Sequence, residues 1–144
     1  MYEQNLSKAM DRFFLRLRAD KPFMRFNYAV DISPELFHIH SHHNLTAETL
    51  ERPLTIDQLY LRVERQYLQR LPKTGAIAFS IRTYITPITE VTKDKDIALA
   101  LQTSVGSYSP EVSKYKNKHL WDNVLSDHLR ELLQDHETQR ITNN

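Results

Sequence analysis

The feature that most constrains this chain is a run of alternation from Ala76 to Ile85, entered through Lys73-Thr74-Gly75 and closed by Pro87. Ile77, Phe79, Ile81 and Ile85 fall on one side, and Ala78, Ser80, Arg82 and Tyr84 on the other. That is the two-residue period of a half-buried β-strand. A weaker copy of the signal lies just upstream in Leu54 to Val63, where Leu59, Leu61 and Val63 alternate against Tyr60 and Arg62. Phe23 to Val30, rich in aromatic and β-branched residues, supplies a further strand. The close spacing of the later strands around Gly75 argues against repeated βαβ units and for antiparallel pairing.

Helical periods frame these strands. Leu6, Met10, Phe13, Phe14 and Leu17 recur at helical spacing, with Ser7 as the expected N-cap and Lys21-Pro22 as the stop. Ser33-Pro34-Glu35 combines a capping serine, a proline at the first helical position and an acid in the first turn. It predicts a single turn carrying Leu36 and Phe37. His38 to Pro53 is polar and without a period, a loop or a short helix at most. Tyr67, Leu68 and Leu71 suit a short helix ending before Pro72. A helix over Asp94 to Val105 is expected to bury Ile97, Ala98, Leu101 and Val105 and to end at Gly106. Ser109-Pro110-Glu111 starts another. The last helix, from about His119 to Gln134, buries Trp121, Val124, Leu125, Leu129 and Leu132, so Trp121 belongs to a core and not to a stacking surface. Strands followed by helices predict an α+β domain over residues 1–137, an antiparallel sheet with helices on one side, and a polar tail over 138–144.

Composition removes several classes of function. The 144 residues are 40% apolar and 26% charged, an ordinary globular mix with enough chain for a core. The formal net charge of +1 favours neither nucleic acid nor an anionic membrane as partner. With no cysteine, disulfides, thiolate metal sites and cysteine nucleophiles are excluded. Only Gly75 and Gly106 are present, too few for a phosphate-cradling loop, and no nucleophile elbow occurs. The first residues lack a secretory pattern and no apolar stretch would span a bilayer, which together predict a cytoplasmic protein.

Three segments could carry chemistry. Around a strand end, Arg62, Glu64, Arg65 and Arg70 crowd together, and Arg62 and Glu64 share a face if they share a strand. Guanidinium groups there could anchor a carboxylate, but ion pairs on a solvated strand face are the commoner explanation of such a run. Ser80, Arg82 and Tyr84 lie in register on the polar face of the alternating strand. They could line a pocket, Arg82 donating to an oxyanion or bound oxygen and Tyr84 supplying a proton, or simply face water. His38, His40 and His42 alternate in the polar loop beside His43. Imidazoles ligate zinc and iron, yet this spacing matches no closed zinc pattern and a solvated loop explains it more readily.

From Leu61 to Tyr84 the sequence Leu-Arg-Val-Glu-Arg-Gln-Tyr-Leu-Gln-Arg-Leu-Pro-Lys-Thr-Gly-Ala-Ile-Ala-Phe-Ser-Ile-Arg-Thr-Tyr resembles, without a gap, the signature of the haem-dependent oxidative N-demethylase-like family. Phe13-Phe14, Lys21-Pro22 and Arg25-Phe26-Asn27-Tyr28 resemble that family's helix-then-strand entry, with Tyr28 where tryptophan is usual. Ser109-Pro110-Glu111 with Tyr115-Lys116 resembles a later helical segment. The resemblance implies a PAS-like α+β fold enclosing haem b, with this chain corresponding to the C-terminal part of the family's catalytic region. It implies monooxygenase chemistry on a small amine, with electrons from reductase subunits. By resemblance, Arg62, Arg65 and Arg82, with Glu64 and Tyr84, become pocket-wall candidates, with Arg82, Tyr84 and Glu64 taken as catalytic and Arg62 and Arg65, together with Ser80, as cofactor contacts; any of the loop histidines, His38 and His40 first, could still be an iron ligand. The alternatives are a non-catalytic haem- or ligand-binding sensor domain, and a shortened form that forms a homo-oligomer or pairs its sheet with a complementing chain.

Overall fold

The computed structural model describes residues 2–37 and 53–142, with side chains over 7–37 and 53–134. Helix α1 (Tyr2–Arg16) leads to strand β1 (Phe23–Asp31). A 3-10 turn (Ile56–Gln58) precedes strands β2 (Tyr60–Arg70) and β3 (Ile77–Pro87). Four helices follow: α2 (Ile88–Val91), α3 (Lys95–Gly106), α4 (Pro110–Tyr115) and α5 (Lys118–Thr142). The strands form one antiparallel sheet in the order β1-β2-β3, so the fold is α+β as the patterning predicts.

The chain divides into two compact units, residues 1–27 with 63–83 and residues 28–62 with 84–144. The second unit holds the core. Val30, Leu59, Ile88, Ala98, Leu101, Val105, Leu120, Trp121, Leu125 and Leu129 form one buried cluster, to which α3 and α5 contribute most. Each large side chain buried there is worth about 1.5–3 kcal/mol. Trp121 keeps its polar atom satisfied by donating from Nε1 to the Lys116 carbonyl at 3.1 Å. Asp94 caps α3, accepting from the Asp96 and Ile97 amides, and Ser109 caps α4 by accepting from Val112. Asn117, at a φ of 50°, makes the turn into α5, a left-handed position that asparagine tolerates.

The first unit is thin by comparison. Among the described residues only Leu17, Leu68 and Gln66 are buried in it. Arg70 is its fastener. Its guanidinium donates to Leu17 O at 2.8 Å, to Phe14 O at 2.6 Å and to Gly75 O at 2.6 Å. One side chain thus closes the C-terminal end of α1 and the β2–β3 turn. That turn needs Gly75, whose φ of +72° is left-handed. Phe13 meets Phe23 edge-on with centroids 5.3 Å apart, helping α1 lie on its strands.

Several expectations change. Ser7 lies inside α1 and caps nothing, because helix-forming residues continue upstream to Tyr2. Ser33 Oγ does accept from the Glu35 amide at 3.2 Å, but no helical turn follows among the described residues, and Leu36 and Phe37 are exposed. Arg62 donates to the carbonyls of Glu35 and Leu36 in this segment. The strand read from Leu54 begins at Tyr60, since Gln58 Oε1 accepts from the Thr55 amide at 3.0 Å and winds the preceding residues into the 3-10 turn. The helix expected over Tyr67 to Leu71 is strand as far as Arg70, because β2 is the central strand and pairing on both edges overrides helical spacing. Ile97 is exposed, the packed stripe of α3 being Ala98, Leu101 and Val105. Helix α5 runs on to Thr142, through most of the expected tail. Finally, the apolar side of the alternating strand is not sunk in a core: Phe79 and Ile81 are 51% and 49% exposed.

Candidate functional site

Strand register decides which candidates can act together. Along β2, Arg62 and Glu64 point one way and Arg65 and Tyr67 the other. In the first unit, Met24, Arg65, Tyr67, Ser80, Ile81 and Arg82 line a single cavity of about 370 Å³. Arg65, Ser80 and Arg82, singled out in the sequence, therefore converge. Met24, Tyr67 and Ile81 were not foreseen, Tyr67 because its segment reads as helix when its period alone is considered. The cavity combines two guanidinium groups and a hydroxyl with a thioether, a phenol and an isoleucine. Two guanidinium groups beside a hydroxyl suit a carboxylate, which guanidinium binds in a bidentate fashion.

Glu64 faces away from this cavity into a polar ladder. It accepts from Gln66 Nε2 at 3.0 Å and from Asn27 Nδ2 at 3.4 Å, while Gln66 Oε1 accepts from Arg25 Nε at 2.6 Å. This ladder explains the burial of Gln66, whose amide is satisfied on both sides. In the second unit, Arg62 donates to Glu35 O at 3.1 Å and Leu36 O at 2.8 Å and sits 3.9 Å from Asp31. It is a brace for the chain leaving β1. Tyr84 also belongs to the second unit, is 41% exposed, and is not among the cavity's lining residues. His38 and His40 lie outside the described residues, as do His42 and His43. Among the described residues, no group of three or more His, Cys, Asp or Glu is placed to hold a metal ion. His128 is engaged with Thr92 Oγ1 at 2.9 Å.

A second cluster went unnoticed in the sequence. Lys116 Nζ lies 5.5 Å from the Tyr28 ring and 5.8 Å from the Tyr108 ring, and it donates to the Tyr28 carbonyl. The two rings are 6.3 Å apart. The Tyr108 hydroxyl is buried with no hydrogen-bond partner among the described residues. Its burial, with the Tyr28 phenol beside it, pushes its pKa well above the usual phenol range.

No helix among the described residues is long and apolar enough to cross a membrane. In comparison with known families, residues 1–126 match the family described as haem-dependent oxidative N-demethylase, alpha subunit-like.

Proposed function

We propose, for a chain that belongs to the haem-dependent oxidative N-demethylase alpha-subunit-like family, that the cavity of the first unit binds the edge of haem b in a PAS-like fold. The observation that supports this reading is the convergence of Arg65, Arg82 and Ser80 with Met24, Tyr67 and Ile81 around one cavity. The donor set fits haem's carboxylates and the apolar rim of its macrocycle; an iron ligand would come from outside the cavity, with His38 and His40 the proposed source. Bound there, haem would supply the oxygen and one-electron chemistry of an oxidative N-demethylation of a small amine, as a monooxygenase supplied by reductase subunits.

The chain's own residues then have separate tasks. Arg65 and Arg82 neutralise and orient the carboxylates, and the Ser80 hydroxyl donates a further hydrogen bond. Tyr84, two positions beyond Arg82 on β3, is the proposed proton donor. Glu64 holds the Asn27–Gln66–Arg25 ladder on the opposite side of β2 and so fixes the strand that presents Arg65. Arg62 has a bracing task in place of the cofactor contact expected of it. We place the protein in the cytoplasm.

Haem titration followed at the Soret band tests this. Arg65 and Arg82 are solvent-accessible, so each contact should be worth about 1 kcal/mol or somewhat more. Arg65→Ala and Arg82→Ala should each weaken binding by roughly fivefold to tenfold, with Arg62→Ala leaving haem affinity unchanged. Equal affinity in all three variants would remove the cavity from the reading.

A further inference from the structure

Strand β3 raises a question that the cavity does not answer. It is an edge strand, pairing among the described residues only with β2. Its apolar side leaves Phe79 and Ile81 about half exposed. From Ile77 to Thr83 it contains no proline, lysine or acid, and Arg82 is its one charged residue. A long apolar edge of this kind is a template for one more strand, with backbone amides and carbonyls supplying affinity and alternate side chains supplying selectivity.

Charge selects the occupant. The first unit holds ten Lys and Arg against four Asp and Glu, whereas the second holds nine against fourteen. The near-neutral total therefore hides a strongly cationic unit around this edge. A second copy joined β3 to β3 would set two such surpluses against each other, which costs association free energy. An acidic strand would gain from the same field.

We propose that the β3 edge over Ile77–Thr83 accepts, by strand addition, a segment of a partner polypeptide in which apolar residues alternate with carboxylates. The apolar residues cover Phe79 and Ile81, and the carboxylates lie within the field of the first unit. Strand addition extends the sheet in its own plane and needs no haem, although Ser80, Ile81 and Arg82 belong both to this edge and to the cavity lining.

The test uses the haem-free chain and two synthetic probes of about eight residues, a typical strand length: one alternating valine with glutamate, one alternating valine with lysine. Fluorescence anisotropy should show binding of the glutamate peptide and not of the lysine peptide, weakened on the order of tenfold between low and physiological salt. Hydrogen exchange should slow at the amides of Ile77–Thr83 when the glutamate peptide is bound, and Phe79→Lys should abolish both signals. Should that variant misfold, the exchange pattern of the natural chain decides alone. Equal binding of the two peptides, or protection elsewhere in the chain, would overturn the proposal. So would a concentration-dependent dimer that protects these same amides, since a second copy would then own the edge.

Discussion

At the scale of single residues, chemistry and support separate cleanly. Arg62, Arg65, Arg70 and Arg82 look equivalent in sequence. The structure gives Arg62 and Arg70 to backbone carbonyls, and places Arg65 and Arg82 around the cavity. Periodicity could show that Arg62 and Arg65 differ in face, but not which backbone oxygens a guanidinium would find. Tyr108 carries a prediction of its own. Among the described residues its buried hydroxyl has no hydrogen-bond partner, so Tyr108→Phe should leave stability unchanged or raise it by about 1 kcal/mol near neutral pH. Burial raises the phenol's pKa in the folded state. As pH climbs past about 10, the unfolded chain's phenol ionises while the folded one keeps its proton, so stability falls with rising pH. Denaturant melts from about pH 8 to about pH 11 should show that fall in the natural protein, and a shallower one in Tyr108→Phe. Parallel curves would contradict the assignment.

Elements were legible where local chemistry and tertiary setting agree. The cap of α4 by Ser109 and the buried stripe of α5 were visible because the cap residues and the helical spacing are each local signals. The second half of β2 was not visible. Tyr67, Leu68 and Leu71 keep a helical spacing, and only pairing with neighbours on both sides makes the segment strand. Of the cavity, Arg65 was legible as a charge near a strand end and Ser80 and Arg82 as the polar face of a strand, while Met24, Tyr67 and Ile81 required the sheet to be assembled. The histidine segment lies outside the described residues, so its part in the site rests on sequence alone. The junction of α1 with the β2–β3 turn depends on one side chain. Arg70→Ala removes three charge-assisted hydrogen bonds and should cost about 2–4 kcal/mol, with Arg70→Lys recovering only a part because an ammonium cannot span all three carbonyls. Urea melts would measure both, and an unchanged midpoint in Arg70→Ala would refute this role.

At the scale of the whole molecule, stability and binding surface are assigned to different units. The second unit owns the buried cluster built on Trp121, Leu125 and Leu129. The first owns the cavity, the exposed edge strand and the positive charge, with few buried side chains to hold them. Regions of low burial open most readily, and they are also where ligands change stability most. The first unit is therefore expected to exchange its amide hydrogens faster than the second in the free chain, and to gain most from a bound cofactor. Hydrogen exchange with and without haem joins these expectations in one experiment. The account predicts that haem slows exchange chiefly around Arg65–Tyr67 and Ser80–Arg82, with α3 and α5 little changed. Haem-dependent protection confined to the second unit, or none at any site, would contradict it.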